Sequence, residues 1–213
     1  MKILDSGLKP KSYNFTKNIP EFLLIHHALA TNCTIKDLYT WHVIDNKWNF
    51  IGYHFFITKD GKIYKCREIE WNGAHCKEQK MNNRSIGICL EGCYEKYEYK
   101  KGKFIEDKIV PELQMNALIE LTQNLTEKYK IPTAKVKRHH DFASYKLCPG
   151  DNFPWNSFIE ELKKPKIANW KLEAYKTARE IGYISSDWSE KLNEDIPVWA
   201  MFIMLNNLYK KLK

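Results

Sequence analysis

The fold of this chain is decided by the run Phe22-Leu23-Leu24-Ile25-His26-His27. Four apolar residues in succession, followed by polar ones, are typical of a short strand that is buried within a sheet. We therefore predict a strand over residues 21–27. His26 stands at the C-terminal tip of this strand, where its side chain can reach a site at the edge of the sheet.

The residues that follow alternate between helix and strand patterns. Thr34 and Asp37 have the spacing of a capping box, and Asp60-Gly61 is a two-residue hairpin signal. In order, the sequence predicts a helix near 34–46, strands at 53–58, 62–66 and 85–90, and a helix that begins at Pro111 and stops before Pro132.

The helix that begins at Pro111 is amphipathic. Its predicted apolar stripe consists of Leu113, Ala117, Leu118, Leu121 and Leu125. Strands mixed with helices in this order predict the α/β class, with a central mixed β-sheet flanked by helices.

Composition limits what the chain can be. Its 213 residues are 44% hydrophobic, which is enough for a packed core. There is no run of about 18 apolar residues, so we predict no membrane span. The first residues lack the apolar run of a secretory signal, so we expect cytoplasmic synthesis without one. Six cysteines without such a signal argue against disulfides. We predict that all but Cys148, namely Cys33, Cys66, Cys76, Cys89 and Cys93, are buried or half-buried thiols.

The formal net charge is +8, and most of the basic excess lies before residue 167. A basic protein is attracted to nucleic acids, anionic membranes or anionic polymers. The sequence has no nucleic-acid recognition motif, so we predict no nucleic-acid partner.

His26, His139 and Cys148 are the candidate metal ligands. His139 closes the β-prone stretch Val136-Lys137-Arg138-His139, and Cys148 lies in a loop shaped by Pro149 and Gly150. Structural zinc usually has four protein ligands, whereas catalytic zinc keeps one position open for water. Three ligands therefore predict a catalytic Zn²⁺ site. His27 and His140 are the adjacent alternatives.

These segments resemble the zinc-dependent N-acetylmuramoyl-L-alanine amidases of the type-2 class. Phage amidase endolysins and animal peptidoglycan recognition proteins share that fold. Six matching stretches occur in the family's order over roughly residues 20–160: Ile25-His26-His27, Ile51-Gly52-Tyr53-His54-Phe55, Asn72-Gly73-Ala74-His75, Asn83-Arg84-Ser85-Ile86-Gly87-Ile88, Arg138-His139-His140-Asp141 and Lys146-Leu147-Cys148-Pro149-Gly150.

The resemblance implies hydrolysis of the amide between the lactyl group of N-acetylmuramic acid and L-alanine in peptidoglycan. It implies that Tyr53 and Lys146 are catalytic and that His26, His139 and Cys148 bind Zn²⁺. Substrate-binding residues would be His75, Asn83 and Arg84, although turn formation explains the last two equally well. Asp141 is either a partner that orients a zinc-bound imidazole or a helix cap.

A boundary near Lys163-Lys164-Pro165-Lys166 separates a predicted catalytic domain, 1–164, from a small all-helical module, 167–213. Trp170, Ala174, Ala178 and Ile181 predict one helix there, and a second is predicted near Pro197. Whether this module binds the cell wall or packs on the main domain is open. We interpret Trp170, Trp188 and Trp199 as core residues in preference to sugar platforms.

The biological setting is an expectation drawn from the resemblance. We expect a phage or prophage endolysin, or a bacteriocin-associated lysin, that reaches the wall after holin action or cell lysis. Rich Lys, Asn and Ile usage suggests a low-GC Gram-positive host, and the basic charge suggests teichoic acid as a wall partner. A peptidoglycan recognition module without enzymatic activity is the main alternative, but such relatives have lost the thiolate ligand. Cys148 is kept here.

Overall fold

The computed structural model describes residues 1–96, 106–164 and 169–182, together with 187, 189–192 and 194. The chain is divided into two compact units, Met1–Lys163 and Lys164–Lys213. Within the described residues, no helix is both long and apolar enough to cross a membrane.

The first unit is built on a six-stranded sheet. Its strands are β1 (Ile3–Asp5), β2 (Phe22–His27), β3 (Phe55–Ile57), β4 (Ile63–Lys65), β5 (Ser85–Leu90) and β6 (Val136–Arg138). Their spatial order is β1-β4-β3-β5-β2-β6, and every neighbouring pair is parallel except the β3–β4 hairpin. The sheet is therefore mixed, which confirms the predicted fold class.

Helices cover this sheet. They are α1 (Ile35–Tyr39), which continues as a π-helical turn (Thr40–Asp45), α2 (Glu112–Tyr129) and α3 (Trp155–Lys163). Short 3-10 turns occur at Glu78–Asn83, Thr133–Lys135 and His139–Asp141.

Alternation along β2 divides the core into two layers. Leu23 and Ile25 pack in one cluster with Leu118 and Leu121 of α2 and Phe158 of α3. Leu24 belongs to a separate cluster on the opposite face. His26 is two residues from Leu24 and shares its face, so the sheet itself holds this side chain away from α2.

Several elements differ from the sequence-based predictions. β1 was not predicted, because its three residues lie in a polar stretch and are recognised only through pairing with β4. The hairpin loop has three residues, since Thr58 and Lys62 pair on either side and Gly61 takes φ +79°. The strand predicted at 53–58 is shorter, covering only Phe55–Ile57.

The predicted stripe on α2 is wrong at its first position. Leu113 is 64% exposed, whereas Gln114 is fully buried. The Gln114 amide donates to the carbonyl of Ile57 at 2.9 Å and accepts from the hydroxyl of Tyr94 at 2.5 Å. A buried glutamine is tolerated there because its polar atoms are paired.

The second unit contains α4 (Asn169–Glu180) and a 3-10 turn (Ser189–Lys191). Gly182 follows α4 with φ +74°, a conformation that favours glycine at a helix end. The helix predicted near Pro197, the side chain of Trp170, and Trp188 and Trp199 lie outside the described residues.

Candidate metal centre

Two neighbouring strand ends and one loop bring the three candidate ligands together. β2 ends in His26-His27, and β6 pairs with β2 in parallel, so His139 follows β6 at the same edge. The Nδ1 atom of His26 lies 3.9 Å from Sγ of Cys148, and the His26 and His139 ring centroids are 4.6 Å apart. The donor atoms of all three lie within 4.8 Å of one another. This spacing can hold a metal ion.

Backbone contacts hold Cys148 in place. The N–H of His27 donates to its Sγ at 3.4 Å, and its carbonyl accepts from the N–H of His140 at 3.0 Å. Burial raises the pKa of the Cys148 thiol to about 12, although the His27 N–H acts in the opposite direction. A thiolate at this position therefore calls for a cation beside it, which fits a metal-binding role.

The adjacent histidines point to other partners. Nδ1 of His27 accepts the backbone N–H of Tyr94 at 2.9 Å, and Nδ1 of His140 donates to the carbonyl of Lys146 at 2.6 Å. Neither imidazole belongs to the group of candidate ligand atoms formed by His26, His139 and Cys148. The geometry favours the register that uses His26 and His139.

Tyr53 lies beside this group, with its ring 5.2 Å from the ring of His26. Burial, with a smaller contribution from Cys89, raises the pKa of Tyr53 well above its usual value. The phenol therefore stays protonated at neutral pH and can donate a hydrogen bond.

Lys146 has an exposed side chain whose ammonium lies 5.7 Å from the ring centre of Tyr145. Burial is the main cause that lowers the pKa of His139, and the positive charge of Lys146 lowers it further. Lys146 is thus close enough to act electrostatically on His139, one of the candidate ligands.

His75 lies beneath His26 and is 8% exposed. Its Nδ1 is 3.1 Å from Nε2 of His26, and its ring fits between Gly73 and Gly87. A Cβ at Gly87 would come within 2.6 Å of that ring. His75 also lines a cavity of about 270 Å³ that borders His139, so it has both a contact with a candidate ligand and a place in the groove.

Asn83 and Arg84 lie elsewhere. The Asn83 amide donates to the Thr16 hydroxyl at 2.8 Å, and the Arg84 guanidinium makes two hydrogen bonds, 2.8 and 2.9 Å, with Glu21. These contacts anchor the segment before β2. Neither residue is among those lining the cavity. These contacts do not support the predicted substrate-binding role of Asn83 and Arg84, which stays a prediction.

Two further polar residues, Asp141 and His54, are held by backbone groups. The Asp141 carboxylate accepts the backbone N–H of Arg138 at 2.9 Å and pairs with its guanidinium, so Asp141 is a cap. His54 is fully buried, with Nδ1 accepting from the N–H of Gly87 and Nε2 paired with the carbonyl of Trp71, so backbone groups hold its imidazole.

Sequence reasoning missed Asn82. Its Oδ1 accepts the backbone N–H groups of His75 and Cys76 at 2.8 and 2.9 Å, which fixes the loop that carries His75. Its neighbour Asn83 is the same residue type, so no sequence signal separates them. All six cysteines fall within the described residues and are free and buried, as predicted for the five other than Cys148.

Comparisons with known proteins identify the family of this chain. The family model described as N-acetylmuramoyl-L-alanine amidase matches residues 16–151. The endolysin of Escherichia phage T7 is 35% identical over 127 residues, which is 58% of this chain and 76% of that protein.

Solved structures give the same result. The N-acetylmuramoyl-L-alanine amidase LysC from Clostridium intestinale URNW has a TM-score of 0.63 and 32% identity, covering 78% of this chain and 99% of its own. Drosophila PGRP-LB has a TM-score of 0.59 and 26% identity, covering 77% and 94%. A family match over more than half of the sequence shows that this chain belongs to the N-acetylmuramoyl-L-alanine amidases.

Proposed function

We propose that this chain is a zinc-dependent amidase that hydrolyses the lactyl-amide bond between N-acetylmuramic acid and L-alanine in peptidoglycan. The observation that carries the proposal is the convergence of His26, His139 and Cys148 beside Tyr53 and Lys146. Family membership supports the reaction, and the local geometry supports the roles of the individual residues.

Zinc is the metal that this donor set fits best. Two imidazoles and one thiolate are ligands that zinc prefers, and three protein ligands are typical of catalytic sites. A zinc ion bound there would acidify a water molecule and polarise the substrate carbonyl.

The remaining residues prepare the site. Tyr53 donates a hydrogen bond toward the carbonyl oxygen, because its phenol remains protonated. The Lys146 ammonium stabilises negative charge that develops on that oxygen. His75 accepts the N–H at Nε2 of His26, which leaves Nδ1 of His26 free to face Cys148.

The setting we propose is that of an endolysin acting on the wall after release from the cell, since curated relatives at 31–35% identity are phage endolysins. Residues 1–164 form the catalytic domain in this proposal, and residues 167–213 form a helical module with a role in wall binding. A low-GC Gram-positive host and teichoic acid as a partner rest on composition and charge alone.

A wall digestion tests the reaction. Purified peptidoglycan treated with the protein should release N-terminal L-alanine without new reducing sugars, and the active protein should contain about one zinc ion per chain. Cys148→Ser should lose both metal and activity. Reducing ends without free L-alanine, or full activity in Cys148→Ser, would contradict the proposal.

A further inference from the structure

A second group of metal-ligating side chains lies beside the first. Donor atoms of Cys76, Glu78 and His139 are within 4.8 Å of one another, and all three residues line the 270 Å³ cavity. We propose that Cys76 and Glu78, with His139, bind a second divalent cation, Zn²⁺ or a similar ion such as Cd²⁺. This ion would block the cavity when metal is in excess. This second site goes beyond the proposed amidase activity.

The spacing of Cys76 and Glu78 suits a shared ion. Sγ of Cys76 is 3.5 Å from Oε2 of Glu78. Tetrahedral zinc, with bonds of about 2.3 Å to sulfur and about 2.1 Å to oxygen, separates those two atoms by about 3.6 Å. The thiol–carboxylate pair therefore already has the separation of two ligands on one ion. A thiolate also favours soft cations such as Cd²⁺.

Tyr145 supplies the supporting contact that a carboxylate ligand needs. Its hydroxyl donates to Oε1 of Glu78 at 2.6 Å, while the other oxygen, Oε2, faces Cys76. The two carboxylate oxygens are thus divided between a holding partner and a ligand position. Metal-binding carboxylates are commonly oriented in this way by a second hydrogen bond.

The backbone around this pair is held as well. Oδ1 of Asn82 accepts the N–H of Cys76 at 2.9 Å. Gln79 and Lys80, directly after Glu78, have φ of +48° and +59°, which is uncommon for residues other than glycine. Cys76 and Glu78 therefore meet through a loop with a specific conformation.

A second ion would affect the 270 Å³ cavity next to the candidate catalytic site. His139 belongs to both ligand groups, and His75, the partner of His26, lines the same cavity. A second ion would occupy space beside the proposed reaction centre. It would bind His139 through the ring nitrogen that the first ion leaves free, which requires loss of the proton on that nitrogen. Excess metal should therefore inhibit the enzyme, whereas one equivalent activates it.

Metal counting tests the proposal directly. Metal-free protein is dialysed against increasing Zn²⁺, and bound ions are counted by elemental analysis; Cd²⁺ titration then reports thiolate ligation by ultraviolet absorbance. Wild type should bind two ions, and Cys76→Ser and Glu78→Gln should bind one. Cys93→Ser, which removes a buried cysteine outside both groups, is the matched control and should bind two. Circular dichroism checks that each variant is folded.

The proposals for the two sites can be disproved independently of each other. If Cys148→Ser binds as many ions as wild type, the first site is wrong; if folded Cys76→Ser does so, the second site is wrong. Saturation of wild type at one ion would also overturn the proposal.

Tyr145→Phe should weaken the binding of only the second ion, by about 10- to 100-fold. Activity in excess Zn²⁺ is compared with activity at one equivalent of Zn²⁺ per chain. The excess should lower the activity of wild type but not that of Glu78→Gln. Equal inhibition of both proteins would contradict the blocking role.

Discussion

Nε2 of His26 and Nδ1 of His75 are 3.1 Å apart in a buried contact. Only one of these two nitrogens carries the shared proton when both rings are neutral, and burial lowers the pKa of both histidines well below the usual value. If His26 binds metal through Nδ1, its proton lies on Nε2 and His75 is the acceptor. His75 then determines which tautomer of His26 faces Cys148.

The first prediction follows from that contact. His75→Ala should weaken binding of the first zinc ion by about 10- to 100-fold, because the supporting hydrogen bond to a histidine ligand is lost. Competition with a chromogenic chelator measures the affinity. His75→Gln keeps an acceptor and should recover part of it. His42→Gln changes a histidine whose Nδ1 instead accepts from Gly52, and should bind zinc normally. Equal affinities in wild type and His75→Ala would remove His75 from this role.

The second prediction concerns the close packing of Gly87 against His75. Gly87→Ala should lower the free energy of unfolding by about 1–3 kcal/mol, because the new methyl group overlaps the imidazole ring. Urea unfolding of the metal-free protein measures this change. In a His75→Ala background the same substitution should cost much less, since the ring is gone. An equal cost in both backgrounds would show that the strain has another source.

Much of this arrangement was predictable from sequence, for local reasons. The apolar run of β2 predicts a buried strand, and the Thr34–Asp37 capping box occurs as expected, with the Thr34 N–H donating to Asp37 at 2.7 Å. The grouping of His26 with His139 and Cys148 followed from the order of the matching motifs. For the strand and the capping box the deciding signal lies within a few consecutive residues, whereas for the ligand group it is the order of short motifs along the chain.

Other features depend on contacts that no local pattern contains. His75 is 49 residues from His26, and Tyr145 is 67 residues from Glu78. Tyr53 and His54 precede β3, which begins only at Phe55, and the ring centroids of both lie within 6.3 Å of the His75 ring centroid. Only the folded loop after β4 brings these groups together.

The third prediction separates catalysis from metal binding. Lys146→Met should reduce kcat by about 10²- to 10³-fold while zinc content is unchanged, because it removes charge stabilisation but no ligand. Release of L-alanine and elemental analysis give the two values. Lys137→Met, on β6 and outside both ligand groups, is a matched control for loss of one positive charge. Loss of zinc in Lys146→Met would instead indicate a structural role.

The last prediction uses His54, whose imidazole is buried and makes two hydrogen bonds to backbone groups. Burial lowers its pKa from 6.5 to about 4. The unfolded chain therefore takes up a proton near pH 6.5, whereas the folded protein does so only near pH 4. Stability from neutral His54 is fully present above pH 6.5 and is lost as pH falls from about 6.5 to about 4, by up to roughly 3 kcal/mol.

Denaturant unfolding of metal-free wild type and His54→Gln at several pH values measures how steeply the free energy of unfolding of each protein changes with pH. His54→Gln should be less stable at pH 8 yet lose less stability on acidification, because glutamine does not titrate. Parallel stability curves for the two proteins between pH 8 and pH 4 would show that this histidine titrates alike in the folded and unfolded chains.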